Sequence, residues 1–414
     1  MNSRNSDDAQ VDTIQRVNGS WRSTRITRRE LCASATGLSD IVIAFLSTEA
    51  ALPLPHKIAN NDLSSHFKIP PSFWTSVAQA ASGFFGVQDN RAANRDLISY
   101  TSFFRFLIKE TSPEQNTTVD KKASYNWHKA GFFTSWQCRN ASVILCFDLP
   151  RFLQESISKS IMSSGTAIRA EDLFAVHAII VGEIVVLYDR AVWSMRDLVR
   201  GFEQNRVSPL DYDPQPNYAE VHEMARHVIH STEMLEMALE VVAGMIREHE
   251  QFFNDHPSAL VHYKRAGNEL RYQSTILKCI HLRSKALKER LNNEINLAIN
   301  VVAQHDSHLS VLISEATQAD NAAVKTISIL GLTFLPGTFV CAVFSTSFFN
   351  FSPATSTGAQ HWVLSNKFWV YWAVAIPVTV LVFVCWFAWQ RREASRQQKL
   401  YAKRFAAGLP KYSK

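Results

Sequence analysis

The chain has 414 residues, 46% of them hydrophobic, a net charge of +6 and six cysteines. That length allows one or two folded domains beyond any membrane segment, and a charge this modest, accounted for by the C-terminal tail, excludes nucleic acid as an expected partner. The cysteines (Cys32, Cys138, Cys146, Cys279, Cys341 and Cys385) form no C-x-x-C pair, which suits reduced thiols in a cytosolic and membrane setting.

Residues 1–35 are polar, lack apolar periodicity and read as a disordered tail. Its arginines (Arg4, Arg16, Arg22, Arg25, Arg28 and Arg29) are interrupted by Asp7, Asp8 and Asp12, whereas transit peptides are poor in acidic residues. The plasma membrane is therefore expected over the mitochondrial inner membrane. Residues 36–257 read as an α/β domain carrying a helical hairpin. Its strands are expected at 40–46, 103–108 and 142–147, apolar runs of strand length punctuated by Pro53, Pro55, Pro70, Pro71, Pro113 and Pro150. Residues 114–122 read as an exposed loop. After Ala170, apolar residues recur every three or four positions (Leu173, Val176, Ile180, Ile184, Leu187, Ala191, Met195, Leu198 and Phe202), one helical stripe. The segment 207–217, with Pro209, Pro214 and Pro216, breaks it. A second helical stretch, from about Tyr218 to Phe253, then runs back antiparallel to the first until Pro257.

Residues 258–325 read as a long stalk helix that continues into the membrane, on the order of 120 Å in all at roughly 1.5 Å per residue. Leu270, Leu277, Leu287, Leu291, Ile295, Ala298, Val302, Leu309, Leu312 and Ala316 lie near multiples of 3.5 residues, a seam suited to self-association. From Lys325 to Lys367 there are 41 residues without Asp, Glu, Lys or Arg, and a second such block runs from Phe368 to Gln390. A hydrocarbon core takes about 20 apolar residues to cross as helix. The two blocks thus read as transmembrane helix 1 (326–349), an external loop (350–366) and transmembrane helix 2 (367–390). Trp362, Trp369, Tyr371, Trp372, Trp386 and Trp389 crowd the ends of the second span, as interfacial rings do. The tail 391–414 carries Arg391, Arg392, Arg396, Lys399, Lys403, Arg404, Lys411 and Lys414 against Glu393 alone. By the positive-inside bias the tail is cytosolic, and two spans put the N-terminal part on the same side. A cluster of this kind also binds anionic lipid headgroups.

His305 and His308 share a stalk face beside Asp306, a candidate cation ring or a solvated helix surface. Glu223, His227 and His230 share another helix face and would hold a metal only with further ligands; Glu233, Glu236 and Glu240 read as a solvated acidic face. There is no Gly-rich phosphate loop, nucleophile elbow, HExxH or paired-carboxylate constellation, so neither an enzyme nor a cofactor is expected.

The order of parts, an α+β cytosolic domain followed by a long stalk helix and two transmembrane helices, resembles the CorA-type magnesium channels. Leu335-Pro336-Gly337-Thr338-Phe339 matches the Met-Pro-x-Thr-Phe run that ends the family's first span. Residues 334–340, 345–351, 192–200 and 290–297 look like the fungal CorA-like branch. The resemblance is specific over about 170–400. It implies a homo-oligomer, a pentamer in the family, whose pore is lined by Asn321, Val324, Ile327, Leu335, Thr338 and Ala342. It further implies a ring of basic residues (Arg391, Arg392, Arg396 and Lys399) at the cytosolic mouth, and Mg²⁺ or another divalent cation as transported or regulatory ion. At the outer filter, Ser345, Thr346 and Ser347 stand where the family has Gly-Met-Asn, with Asn350 three residues beyond. The family's acidic stalk ligand aligns with Ser310. A non-conducting membrane-anchored scaffold or sensor that retains the fold is the alternative.

Overall fold

The structure, a computed structural model, describes residues 10–34, 40–48, 62–93, 97–112, 124–137, 142–164, 168, 172–204, 218–255, 260–352 and 361–408. The expected loop at 114–122, the break at 207–217 and Pro257 lie outside the described residues. The chain divides into two compact units, residues 1–303 and 304–414.

In the first unit β1 (Gln10–Val17) and β2 (Ser20–Thr27) form a hairpin, followed by α1 (Arg28–Ser34), β3 (Ile41–Leu46) and the short α2 (Asp62–His66) and α3 (Ser76–Ala80). Then come β4 (Gly83–Arg91), β5 (Leu97–Ser112), β6 (Ser124–Gln137) and β7 (Ser142–Phe147), and the helices α4 (Arg151–Ser163), α5 (Leu173–Gln204) and α6 (Tyr218–Asp255). The strands make one sheet in the order β2-β1-β3-β7-β6-β5-β4, antiparallel except for the β3–β7 pair. The long helix α7 (Leu260–Phe348) begins in this unit and continues through the second.

Both sheet faces are covered, which is why β3 and β7 read as continuous apolar runs. Ile41, Ile43, Ile144 and Cys146 turn to the face under α5 and α6, whereas Val42, Ala44, Leu46, Val143, Leu145 and Phe147 turn to the face under α1, α2 and Phe73. Period-two alternation at register Ile43↔Ile144 sorts the two sets. On the first face the stripe expected from Leu173 to Phe202 packs on β5, with Val176, Ile180, Ile184, Leu187, Ala191 and Met195 buried. Tyr188 is fully buried there and donates to the Leu107 carbonyl at 3.0 Å.

Two expectations are overturned. Residues 10–34 are not a disordered tail: Val11, Thr13 and Ile14 are buried, and Asn18 and Gly19 turn the hairpin at φ 51° and 79°. Asn-Gly supplies the left-handed pair of a type I′ turn, a signal that the arginine-rich composition masked. The seam of α7, secondly, is not one surface. Leu270, Leu277, Leu287 and Leu291 are buried in this chain's own core, against α5 and α6, while Leu309 and Leu312 are exposed. The helical hairpin supplies the apolar partner that the first half of the seam needs, so these leucines do not face neighbouring subunits.

Candidate functional site

In the second unit, α7 runs on to Phe348 and α8 spans Trp369–Gly408, with Pro336 and Pro377 inside the two helices. Both contain windows long and apolar enough to cross a membrane, and only 11% and 6% of those windows are buried by the protein. Their hydroxyls are returned to the backbone one turn earlier: Thr326 to Ala322, Ser328 to Val324, Thr333 to Ile329 and Thr379 to Ala375, at 2.7–2.9 Å. That arrangement lets polar side chains sit on a helix surrounded by hydrocarbon.

The two apolar helices touch along a narrow strip. Val340 on α7 and Ala375 on α8 are 6% and 5% exposed, Pro336 is buried, and the Tyr371 hydroxyl donates to the Gly337 carbonyl at 3.3 Å. At about 100° per residue, Pro336 and Gly337 lie within roughly 60° of Val340 around the helix. The six expected pore residues lie roughly 140–260° away from Val340 on the same arithmetic. Asn321, Val324, Ile327, Leu335, Thr338 and Ala342 are all exposed, Leu335 at 71%. Thr338 donates its hydroxyl to the Leu335 carbonyl at 3.0 Å, so the oxygen keeps its capacity to accept.

At the far end Ser345, Thr346 and Ser347 are in the last turn of α7. Asn350 does not continue that helix: it is in β8 (Phe349–Ser352), paired with Val363 of β9 (His361–Leu364). The connection between the apolar helices thus begins and ends as a two-stranded hairpin. Arg391, Arg392, Arg396 and Lys399 are exposed on α8 itself, which has no break after the apolar stretch, and the Arg391 guanidinium lies 4.8 Å from the Phe387 ring centroid. His305 is half-buried, while Asp306, His308 and Ser310 are exposed on α7, Ser310 donating back to the Asp306 carbonyl at 2.8 Å. Among the described residues no three His, Cys, Asp or Glu side chains come together as a metal site.

The first unit shows what the family-like stretches do. Trp193 is held between the guanidinium groups of Arg196 and Arg283, 4.7 and 4.6 Å from its ring, while Val192, Met195 and Val199 enter the core. Arg290 pairs bidentately with Glu203 at 2.8 and 2.5 Å, and Arg283 with Asp189 at 2.6 Å, so both stretches clamp α5 to α7. Glu233 and Glu236 are not merely solvated: Glu233 accepts from Ser82 at 3.5 Å, and Glu236 faces His281 and Lys285 at 3.5 and 3.4 Å. Fully buried His177 on α5 meets the hydroxyls of the cross-strand neighbours Ser102 and Thr134 at 3.3 and 3.1 Å, and burial pushes its pKa down to about 3.

The set Glu223, His227 and His230 is not a metal site either. His227 Nε2 is 2.9 Å from Glu223, but the ammonium of Lys109 on β5 stands against its Nδ1, and the His230 ring lies near Trp127. A lysine 118 residues away in sequence left no mark in the helical spacing from which the set was read.

No protein-family model matches the chain. It is similar to a curated protein of Aspergillus versicolor named "Notoamide biosynthesis cluster protein M'", 28% identical over 301 residues, which is 69% of this chain. The match spans 62% of that relative's length. Among solved structures it is similar to the soluble domain of CorA from Methanocaldococcus jannaschii, with TM-score 0.41, 10% identity and coverage of 70% of this chain and 97% of that one. The ZntB cytoplasmic domain from Vibrio parahaemolyticus gives TM-score 0.38 at 8% identity, covering 69% and 97%. The complete CorA magnesium transporter of M. jannaschii gives 0.33 at 10% identity, covering 91% and 97%.

Proposed function

We propose that this chain is a two-span membrane protein of CorA type that carries divalent cations through a pore built by copies of α7. Both termini are cytosolic, the plasma membrane is the host, and copies associate as a pentamer through the exposed apolar residues Leu309 and Leu312 of the stalk. The observation that carries this reading is the placement of Asn321, Val324, Ile327, Leu335, Thr338 and Ala342 on the side of α7 turned away from α8. A helix that lines a central pore must keep its second span on the outside. Val324, Ile327 and Leu335 would then be apolar constrictions, which gate by dewetting, and Asn321 and Thr338 polar rings. The exposed Arg391, Arg392, Arg396 and Lys399 would meet anionic headgroups at the cytosolic surface.

The test is divalent flux into liposomes holding the purified protein. Leu335→Ser should wet a constriction and raise the leak; Ile329→Ser, which lies roughly 20° from Val340 on the α8-facing side, should change it little. Flux no higher than in empty liposomes overturns transport, and equal effects at the two positions overturn the pore face. That null flux result would favour a second reading, a membrane-anchored scaffold that does not conduct. Ser345, Thr346 and Ser347 standing in place of the family's filter favour it, as does a relative named for a biosynthesis cluster rather than for transport.

A further inference from the structure

Near the start of α6 the chain buries two bases against each other. Lys109 of β5 is 4% exposed and His227 of α6 8%, and the Lys109 ammonium contacts Nδ1 of the imidazole. The other ring nitrogen, Nε2, is 2.9 Å from a Glu223 carboxylate oxygen. From β6 the Tyr125 ring covers the imidazole at 3.6 Å between centroids, and the ammonium sits 4.7 and 4.5 Å from the Tyr125 and Trp127 rings. With Lys109 charged, one proton pattern satisfies these contacts: a neutral imidazole whose Nδ1 accepts from Lys109 and whose Nε2–H donates to Glu223. An imidazolium has a donor on both nitrogens, so its Nδ1–H would confront the ammonium with no acceptor between them.

The groups facing the ring are few. Lys109 comes from β5; β6 supplies Tyr125 and Trp127, and burial pushes the Tyr125 hydroxyl up to about 12, so neither brings a charge. On α6 itself Glu223 is shared with Arg226, Glu220 acts on Tyr125, and His230 lies one turn on with its ring 6.5 Å from that of Trp127. Burial first, and the Lys109 charge second, hold His227 below the ordinary imidazole range against the opposing pull of Glu223. Burial likewise lowers Lys109.

We infer that Lys109 and His227 form a proton-operated latch: uptake of a proton by His227 expels the Lys109 ammonium and frees the first turns of α6 from β5 and β6. The same turns hold α7, because the Tyr218 hydroxyl donates to the Ala298 carbonyl at 3.1 Å. Release therefore loosens the helix that continues toward the apolar segment, and cytosolic acidification becomes an input to the stalk. The latch stands whether or not the spans conduct.

Hydrogen exchange of the full chain in detergent at pH 7.5 and 5.5, corrected for the intrinsic pH dependence of amide exchange, tests it. Peptides within 218–233 should lose about tenfold protection at pH 5.5, the ratio set by one pH unit of titration. Peptides from 234–252 and from α5 should not. His227→Gln, which takes up no proton, and Lys109→Met, which removes the confronting cation, should both abolish the pH-dependent step. Only that step is read, so a variant less protected throughout still reports. No step in the unmutated protein, or the same step in either variant, overturns the latch.

Discussion

Replacing Leu291 by Ala separates a core position from a subunit seam. Leu291 is 1% exposed and lies in the cluster formed by α5, α6 and the sheet, beside the Arg290–Glu203 pair. Truncating a leucine so placed loses its transfer energy and leaves a cavity, a cost of about 2–5 kcal/mol in comparable cores. With a urea slope of about 3 kcal/mol/M, the upper end for small domains, the unfolding midpoint should fall by about 1 M. Leu282, 65% exposed on the same helix, serves as the control: Leu282→Ala should move the midpoint by less than about 0.5 kcal/mol equivalent. Tryptophan fluorescence in urea and mass measurement in detergent are made on the same preparations of full-length protein. An Asp at position 291 should be worse than Ala, because an unpaired carboxylate in that core has neither water nor a cation to meet. If Leu291→Ala leaves the midpoint unchanged and instead lowers the assembly mass, the leucine belongs to an interface between copies and the core assignment is refuted.

Neutral His177 contributes a pH dependence of known sign. Its folded pKa of about 3 lies below the unfolded value of about 6.5, so the stability it contributes is fully present above about pH 6.5 and is lost as pH falls toward 3. The urea midpoint of the unmutated protein should therefore drop more steeply between pH 6.5 and 4 than that of His177→Phe, and parallel slopes would count against a buried neutral imidazole. Trp193→Ala removes the ring between Arg196 and Arg283 and should cost about 1–2 kcal/mol, read as a lower thermal midpoint with no change in the mass of the assembly. Gly19→Ala forces a side chain onto φ 79° and should cost about 1 kcal/mol, whereas Gly201→Ala, inside α5 with open space beside it, should be neutral or stabilising in the same melt.

The sequence by itself determined whatever repeats locally. Charge-free blocks either side of Lys367 gave two apolar helices, since no soluble packing calls for runs of 41 and 23 residues without a charge. Three- and four-residue spacing gave α5, and strand-length apolar runs gave β3 and β7, whose burial on both faces leaves no polar alternation to confuse them. β4 and β6 escaped because they mix aromatic with polar residues, and α4 because its three buried residues, Leu153, Ile157 and Ile161, are scattered among four serines, a lysine and a glutamate. Tertiary structure alone decided what each apolar stripe meets. The heptad-like leucines of α7 are the same residue type at the same spacing from Leu270 to Leu312, yet α5 and α6 cover the first of them and leave the last exposed. It likewise decided the partners of His227, because spacing along a helix reports which residues share a face, and only the fold brings a lysine from a strand to stand against it.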